Sequence, residues 1–487
     1  MEQLSNNLQH NISQLKQTFS GDNSITFREF SNKSAQIDGV IIFADTMINA
    51  AVIDEYILQP ILDDPAAQPG EALAEEIAQS VVNINDVSVK TQGVDVVSAV
   101  LTGDTAVLFQ GCSKALICNT RSMQSRSVGA PENEKSIFGP KEAYTELLFT
   151  NMGLLRRRVK DPRFKIKTIS LGRVTKTQVC VCYIEGIADP KLLKQAEQRL
   201  ASFEIDGLLD SHYLEEIICD HPLSPFKTIG STERPDVTVA AMLEGRVAIL
   251  VDGSPYALTL PFLFLENFQA TDDYYYGYFY AGFVRILRYL AFIIAFALPG
   301  IYVAFLGFHM EMMPMELLVS ISKSVSGVPF PNIIEALLLM VIFDLIRESG
   351  ARTPAIIGTT ASIVGGIVLG QSIVSAKIVS APMIIIVATS GICSVILPKM
   401  AQEIVVLRTV FFVGCSAFGL YGLTFCAVIT LVYLCSLKSF GCEYMSYFDF
   451  RSKQQMKDTF VRAPWWSMIT RPGIFNAQNK TRFKKNS

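Results

Sequence analysis

At 487 residues the chain is longer than one hydrophobic core organises, so two or three domains are expected. Its 42 Lys and Arg against 45 Asp and Glu leave a formal net charge of −3, and no basic stripe with interleaved aromatics appears, so nothing favours a nucleic-acid partner. Half the residues are apolar and the mean hydropathy is +0.33, which is high for a wholly soluble protein.

The N-terminal stretch "MEQLSNNLQHNISQLKQ" is polar and has no apolar run of the kind a secretory signal needs, so the first part of the chain is expected in the cytoplasm. The 10 cysteines agree, being scattered without a disulfide framework. Residues 1–270 mix charges, prolines and short apolar runs, as a soluble α/β region does. Within them lies a repeat. "AVLTGDTAVLFQGCSKALIC" (99–118) aligns without gaps to "AMLEGRVAILVDGSPYALTL" (241–260), and each copy reads as a helix end, a Gly stop and two strands joined at a Gly-containing turn. Upstream, "VIIFADTMINAAVI" (40–53) matches "CVCYIEGIADPKLL" (180–193) more weakly. The expected fold is therefore multi-domain: α/β subdomain 1 (1–125), a linker (126–140), a duplicated α/β subdomain 2 (141–270), an α-helical polytopic transmembrane domain (271–437) and a basic cytoplasmic tail (438–487).

Neither subdomain carries catalytic or phosphate-cradling motifs, so no enzyme activity and no cofactor are expected. Asp45, Glu185 and Asp189 stand at strand ends, where capping and turn formation account for them more simply than ligand binding. Cys180 and Cys182 alternate along a strand pattern and read as packing residues. His212 with Cys219, Asp220 and His221 lacks a second well-spaced pair and reads as a solvated loop rather than a metal site. "LLRRRVKD" (154–161) reads as a solvated basic helix end, with a partner or inner-leaflet contact as the sharper alternative.

The border with the apolar half falls near "DDYYYGYFYAGFVRILRY" (272–289), whose tyrosines and arginines suit a membrane interface. Five apolar segments follow: 286–308, 332–346, 354–375, 381–398 and 409–437, with 315–332 as an interfacial or re-entrant piece. The Lys- and Arg-rich tail belongs in the cytoplasm by the positive-inside rule, and the N-terminal region with it. An even number of crossings is then required, which five segments do not provide. Two ionisable residues stand in these segments and are functional candidates. Asp344 has Arg347 three residues on, a spacing that lets them pair on one helix face. Glu335 has no local cation.

Taken together, "TNMGLLRRRVKDPRFKI", "YIEGIADPKLL", "STERPDVTVAAMLEGRVAILVDGSPYAL", "VPFPNIIEALLL", "LIRESGARTP", "SIVGGIVLGQSIV" and "DTFVRAP" resemble the GerA family of spore germination proteins, and within it the A subunit. The resemblance covers roughly residues 130–466 and, more loosely, the first subdomain. It departs from the family at Met340, where many members carry an acid, and at Glu443 and Tyr447, where prolines are usual. The resemblance implies a nutrient-receptor subunit in the bacterial spore inner membrane, with a permease-like B subunit and a lipoprotein C subunit as partners. It also implies contact with membrane lipid and assembly as a homo-oligomer, a pentamer, into an ion channel.

Residues 353–377 carry no charge before Lys377 and are rich in Gly, Ser, Thr and Ala. At about 100° per residue, Thr360, Val364, Ile367, Gln371 and Ser375 share one face, flanked by seams that include Ser362, Gly366 and Gly370 on one side and Gly365 on the other. Small seams suit a helix with a close neighbour on each side, and an apolar constriction gates a pore by dewetting. Val364 and Ile367 are therefore the expected gate, between wetted rings of Thr360, Gln371 and Ser375. The competing readings are a helix merely packed tightly in a monomeric bundle, a secondary transporter, a signalling scaffold with a membrane anchor, and a paralogue outside the nutrient receptors.

Overall fold

The computed structural model describes residues 3–63, 70–121, 129–352, 370–448 and 455–483. The first antiparallel sheet comprises β1 (Ile25–Asn32), β2 (Ile37–Ala44), β3 (Val87–Lys90), β4 (Thr105–Phe109) and β5 (Ala115–Cys118), in the order β1-β2-β4-β5-β3. The second comprises β6 (Phe164–Leu171), β7 (Thr177–Ile184), β8 (Gly230–Thr232), β9 (Val247–Val251) and β10 (Ala257–Leu260), in the order β6-β7-β9-β10-β8. Adding five to each strand number of the first order gives the second, so the two sheets share one topology.

The central strands are near-continuously apolar because helices cover both faces. In β2, Val40 and Ile42 face Leu8, Ile12 and Leu15 of the opening helix, while Ile41 turns to Ile57, Ile61 and Ile77 on the other side. In β7, Val179 and Val181 face Leu192, Ala196 and Leu200, whereas Cys180 and Cys182 face Leu148, Met152 and Leu155. Both thiols are therefore core packing groups.

Local devices repeat with the sheets. Gly103 (φ 95°) and Gly245 (φ 103°) sit in the left-handed region just past the helices Gly93–Thr102 and Pro235–Leu243, where a side chain would be strained. The Asn11 side chain donates to Ser5 O and accepts from Ser5 N, and Asn151 does the same with Thr145.

A buried ion pair joins the copies. Arg156, at the end of helix Leu148–Arg158, is fully buried, bonds the carboxylate of Asp22, and stacks 4.6 Å from the Phe164 ring centroid. The basic helix end read as solvated is thus buried at this residue, while Arg157 and Arg158 both pair with Glu142. Tertiary contact overrides the local pattern because Asp22 comes from 134 residues away. Residues placed in the linker also dock: Asn133 donates to Glu233 and Glu134 accepts from Thr232, tying them to the second copy.

Among the described residues, two apolar helical runs in the C-terminal part are long enough to cross a membrane, Tyr278–Phe308 and Pro398–Ser436. Between them lie helices Met315–Val325, Asn332–Arg352, Gly370–Ser375 and Ala381–Val395. The 409–437 segment, expected to be a single span, proves to be two legs. Gly419 has φ 62° and ψ −140°, outside the helical region, within Ala401–Ser436. The chain doubles back there, so that Gly414 closes on Gly422, and Cys426 Sγ lies 3.8 Å from Val410 O. Phe226 accordingly shares one cluster with Ile404 of the outgoing leg and Leu434 of the returning leg.

The tail is not free either. Its Asp458 bonds Arg285 at 2.8 Å, Arg471 donates to Leu243 O, and Phe475 lies under Arg246, 4.2 Å from the guanidinium. It is wedged between the second sheet and the foot of the 278–308 helix.

Candidate functional site: charges buried among the helices

Glu335 lies in the first turn of the 332–352 helix and is fully buried. Its Oε1 accepts from the backbone N and from Oγ of Ser380, both at 2.6 Å. Ser380 is the N-cap of helix Ala381–Val395, so the carboxylate stands at that helix's positive end and bolts two helices together. Its other oxygen, Oε2, is buried with no hydrogen-bond partner, as is the hydroxyl of Tyr302 on the 278–308 helix, within electrostatic reach of Glu335. The sequence marked Glu335 as an ionisable residue in an apolar segment, without a local cation. The structure supplies hydrogen-bond donors instead.

Asp344, two turns further on, faces two arginines. Arg347 Nη2 approaches at 3.5 Å along the same helix, and Arg408 Nη2 from the outgoing leg at 2.5 Å. Arg408 is the closer and the more buried, only 2% exposed in its side chain. Sequence spacing could propose only Arg347. The available signal for Arg408 was its place inside the apolar run "EIVVLRTVFF", since a cation there needs a partner. Met340 is buried one turn before Asp344.

A third charged layer closes the foot of the 278–308 helix. Asp273 Oδ2 accepts from Arg285 Nε at 3.3 Å and Arg288 Nη1 at 2.7 Å, and Asp458 accepts from Arg285 and from the Tyr274 hydroxyl at 2.7 Å. Arg285 is fully buried. The sequence marked the tyrosines and arginines of 272–289 as suited to a membrane interface but not these pairings, whose partners are 12 to 184 residues apart.

Of the expected pore face, Thr360, Val364 and Ile367 lie outside the described residues, as do the packing residues Ser362, Gly365 and Gly366. Gln371 and Ser375 are described, both exposed on the short helix that starts at Gly370. The described flanks of that stretch lie at opposite ends of the bundle. Asp344 is level with Arg408 near the start of the outgoing leg, whereas Lys377 approaches Gly327 and Ser380 meets Glu335, level with the far end. Among the described residues no group of His, Cys, Asp and Glu is placed to hold a metal ion. What these sites do is hold charge inside apolar helices and fix helices to one another.

Residues 13–474 match the family described as Bacillus/Clostridium GerA spore germination protein. The chain is 38% identical over 478 residues to the uncharacterized membrane protein YfkQ of Bacillus subtilis, covering 98% of this chain and 93% of that one. It is 36% identical over 482 residues to spore germination protein KA of Bacillus subtilis, covering 98% and 88%. Among solved structures, the N-terminal domain of the A subunit of the Bacillus megaterium spore germinant receptor GerK3 matches 54% of this chain and 97% of its own length, at 32% identity and a TM-score of 0.42.

Proposed function

The chain belongs to the GerA family of spore germination proteins, and from that premise we propose that it is the A-type membrane subunit of a spore nutrient receptor. The observation that carries the reading is that the similarity runs through both the sheets and the helices rather than through one of them. A permease-like B subunit, which would bind the nutrient, and a lipoprotein C subunit are its partners in the spore inner membrane.

The finer reading is a channel. The fold-back at Gly419 replaces one long segment by two legs. With 278–308, 332–352 and 381–395 the described residues offer five passages, and because the described flanks of 353–369 stand at opposite ends of the bundle, the reading is an even number of crossings with the sheets and the tail on the cytoplasmic side. Glu335, Asp344 and Arg408 are more charge than an inert anchor needs inside apolar helices. Copies assembled as a ring, a pentamer in this reading, would place Thr360, Val364, Ile367, Gln371 and Ser375 toward water. Nutrient binding would then open the Val364 and Ile367 constriction and let cations leave the spore.

Val364→Ala widens that constriction and makes it easier to wet. Spores carrying it should release cations and germinate without nutrient, and purified oligomers in planar bilayers should conduct. A variant that stays closed and parent-like removes the gate. Bilayers that never conduct, with either protein, favour a scaffold. The similarity to YfkQ supports a second reading, a GerA-type complex with another task. Normal germination by a deletion strain on every nutrient would select it.

A further inference from the structure

The tail climbs the foot of the 278–308 helix. Val461 packs on Gly282, the Phe460 ring lies 5.4 Å from that of Tyr289, Asp458 bonds Arg285, and the Trp466 ring meets Tyr278 edge-on at 5.8 Å. Positions 278, 282, 285 and 289 form one row of the helix, so residues 458–466 lie along that row. Phe279, Phe283, Ile286, Leu290 and Ile293 stand one residue on, about 100° round the helix, and all are exposed.

The tail extends this apolar face. Trp466 is 67% exposed, and Phe460, Val461 and Ile469 are exposed with it. An open apolar surface shared by two elements marks a place that something covers. The helix fixes its height. At about 1.5 Å per residue, the 31 residues of Tyr278–Phe308 measure about 46 Å, close to the ~40–45 Å of a bilayer with its headgroup regions. The first turn, and Trp466 against it, therefore stands at headgroup level, where indoles are favoured. Charge agrees. Residues 457–482 hold five cations, Lys457, Arg462, Arg471, Lys480 and Arg482, against one acid, Asp458, which Arg285 takes. Arg482 also meets Glu244, while Lys480 is exposed.

We propose that the tail is a non-spanning anchor on the anionic surface of the bilayer. Trp466, Phe460 and Val461 sit at the headgroup–acyl boundary beside Phe279 and Phe283, and Lys457, Arg471 and Lys480 attract lipid phosphates. A protein cover fits less well, because the face runs without a break into the exposed row of a helix long enough to span. The inference rests on the reading that 278–308 crosses a membrane. The same tail reaches the second α/β copy, where Arg471 donates to Leu243 O and Phe475 lies under Arg246. It is thereby a strut between the lipid surface and the second sheet.

Trp465 and Trp466 are the chain's two tryptophans, so indole fluorescence of the full-length parent in lipid nanodiscs reads the tail directly, whether or not the chain serves germination. Phosphatidylcholine brominated near the headgroup end of its acyl chains should quench the emission at least about twofold, and more than lipid brominated near the chain terminus. Brominated phosphatidylglycerol in plain phosphatidylcholine should quench at least about twofold more than the converse mixture at equal mole fraction, since each nearby cation favours anionic lipid about fivefold. That excess should shrink in high salt and in Lys480→Gln. Trp466→Phe should lose most of the lipid quenching, because Trp465 is screened by Arg462 and Arg482, each 5.3 Å from its ring. Should that variant unfold, the parent measurements decide the matter. Indoles untouched by brominated lipid but quenched by acrylamide would overturn the anchor and leave the receptor reading standing. Indoles shielded from both agents would indicate a protein cover and overturn it too. Equal quenching by the two mixtures would overturn the anionic preference, and a chain that does not enter the discs would overturn both readings.

Discussion

Gly419→Ala isolates the feature on which the layout of the helical part depends. At φ 62° and ψ −140° the residue occupies a region that side chains make costly, about 1–3 kcal/mol. A Cβ there would also stand 2.8 Å from His309 Cε1 and 2.9 Å from Phe308 Cβ. The imidazole can swing aside, but Phe308 Cβ is fixed to its backbone, so the overlap adds to the strain. Together they cost roughly 2–4 kcal/mol, or roughly 30- to 1,000-fold in the equilibrium between folded-back and opened hairpin. The relaxed alternative is a continuous helix over the 36 residues of Ala401–Ser436, roughly 54 Å long, which would carry Leu434 away from Phe226. Two measurements read this in nanodiscs and vesicles. The thermal midpoint should fall, and the exposed Cys435, which the hairpin holds on the side of the sheets, should react with a membrane-impermeant maleimide from the opposite side in an increased fraction. An unchanged midpoint with unchanged sidedness would refute the reasoning, and with it the proposed return of the second leg to the side of the sheets.

Removing one partner of the buried pair between the α/β copies, by Asp22→Ala, leaves Arg156 charged and buried and should cost about 3–5 kcal/mol, whereas Asp22→Leu with Arg156→Met should cost much less; equal losses in thermal unfolding would show that burial of charge is not what matters there. Glu335→Ala orphans both Ser380 donors and should destabilise by about 2–3 kcal/mol, while Glu335→Gln, which keeps an acceptor, should lose about half of that; denaturant midpoints that rank the other way sink the bolt reading. Burial pushes the Cys180 thiol to about 11 and Cys118 to about 12. The unfolded chain therefore gives up these protons first as pH rises above about 9, and stability should fall between about pH 9 and 11, at up to about 1.4 kcal/mol per unit for each thiol. Cys180→Ala should flatten part of that slope in unfolding midpoints taken against pH, and an unaltered slope would count against the burial.

Legibility differed sharply between neighbouring elements. The strand pairs at 105–118 and 247–260, with their Gly stops, were readable because turn chemistry and apolar alternation are local and appeared twice. The shared sheet order was not readable, since pairing β2 with β4 joins residues some 70 positions apart. Asp344 and Glu335 stood out as acids in apolar runs. Their partners, Arg408 and Ser380, come from 64 and 45 residues along the chain, and nothing in the spacing pointed to them.

The sequence by itself determined the division into a charged α/β part and an apolar helical part, the duplication within the first, and the family. These rest on composition, periodicity and matched blocks, which do not depend on how distant segments meet. The tertiary structure decided where the charges go and which way the chain runs. Arg156 is a buried clasp rather than a solvated end because Asp22 folds over it, and the tail is a wedge because Arg285 and Arg246 receive it. One apolar run became two antiparallel legs because a single glycine can take a backbone angle that its neighbours cannot, and helical periodicity continues unbroken on either side of it.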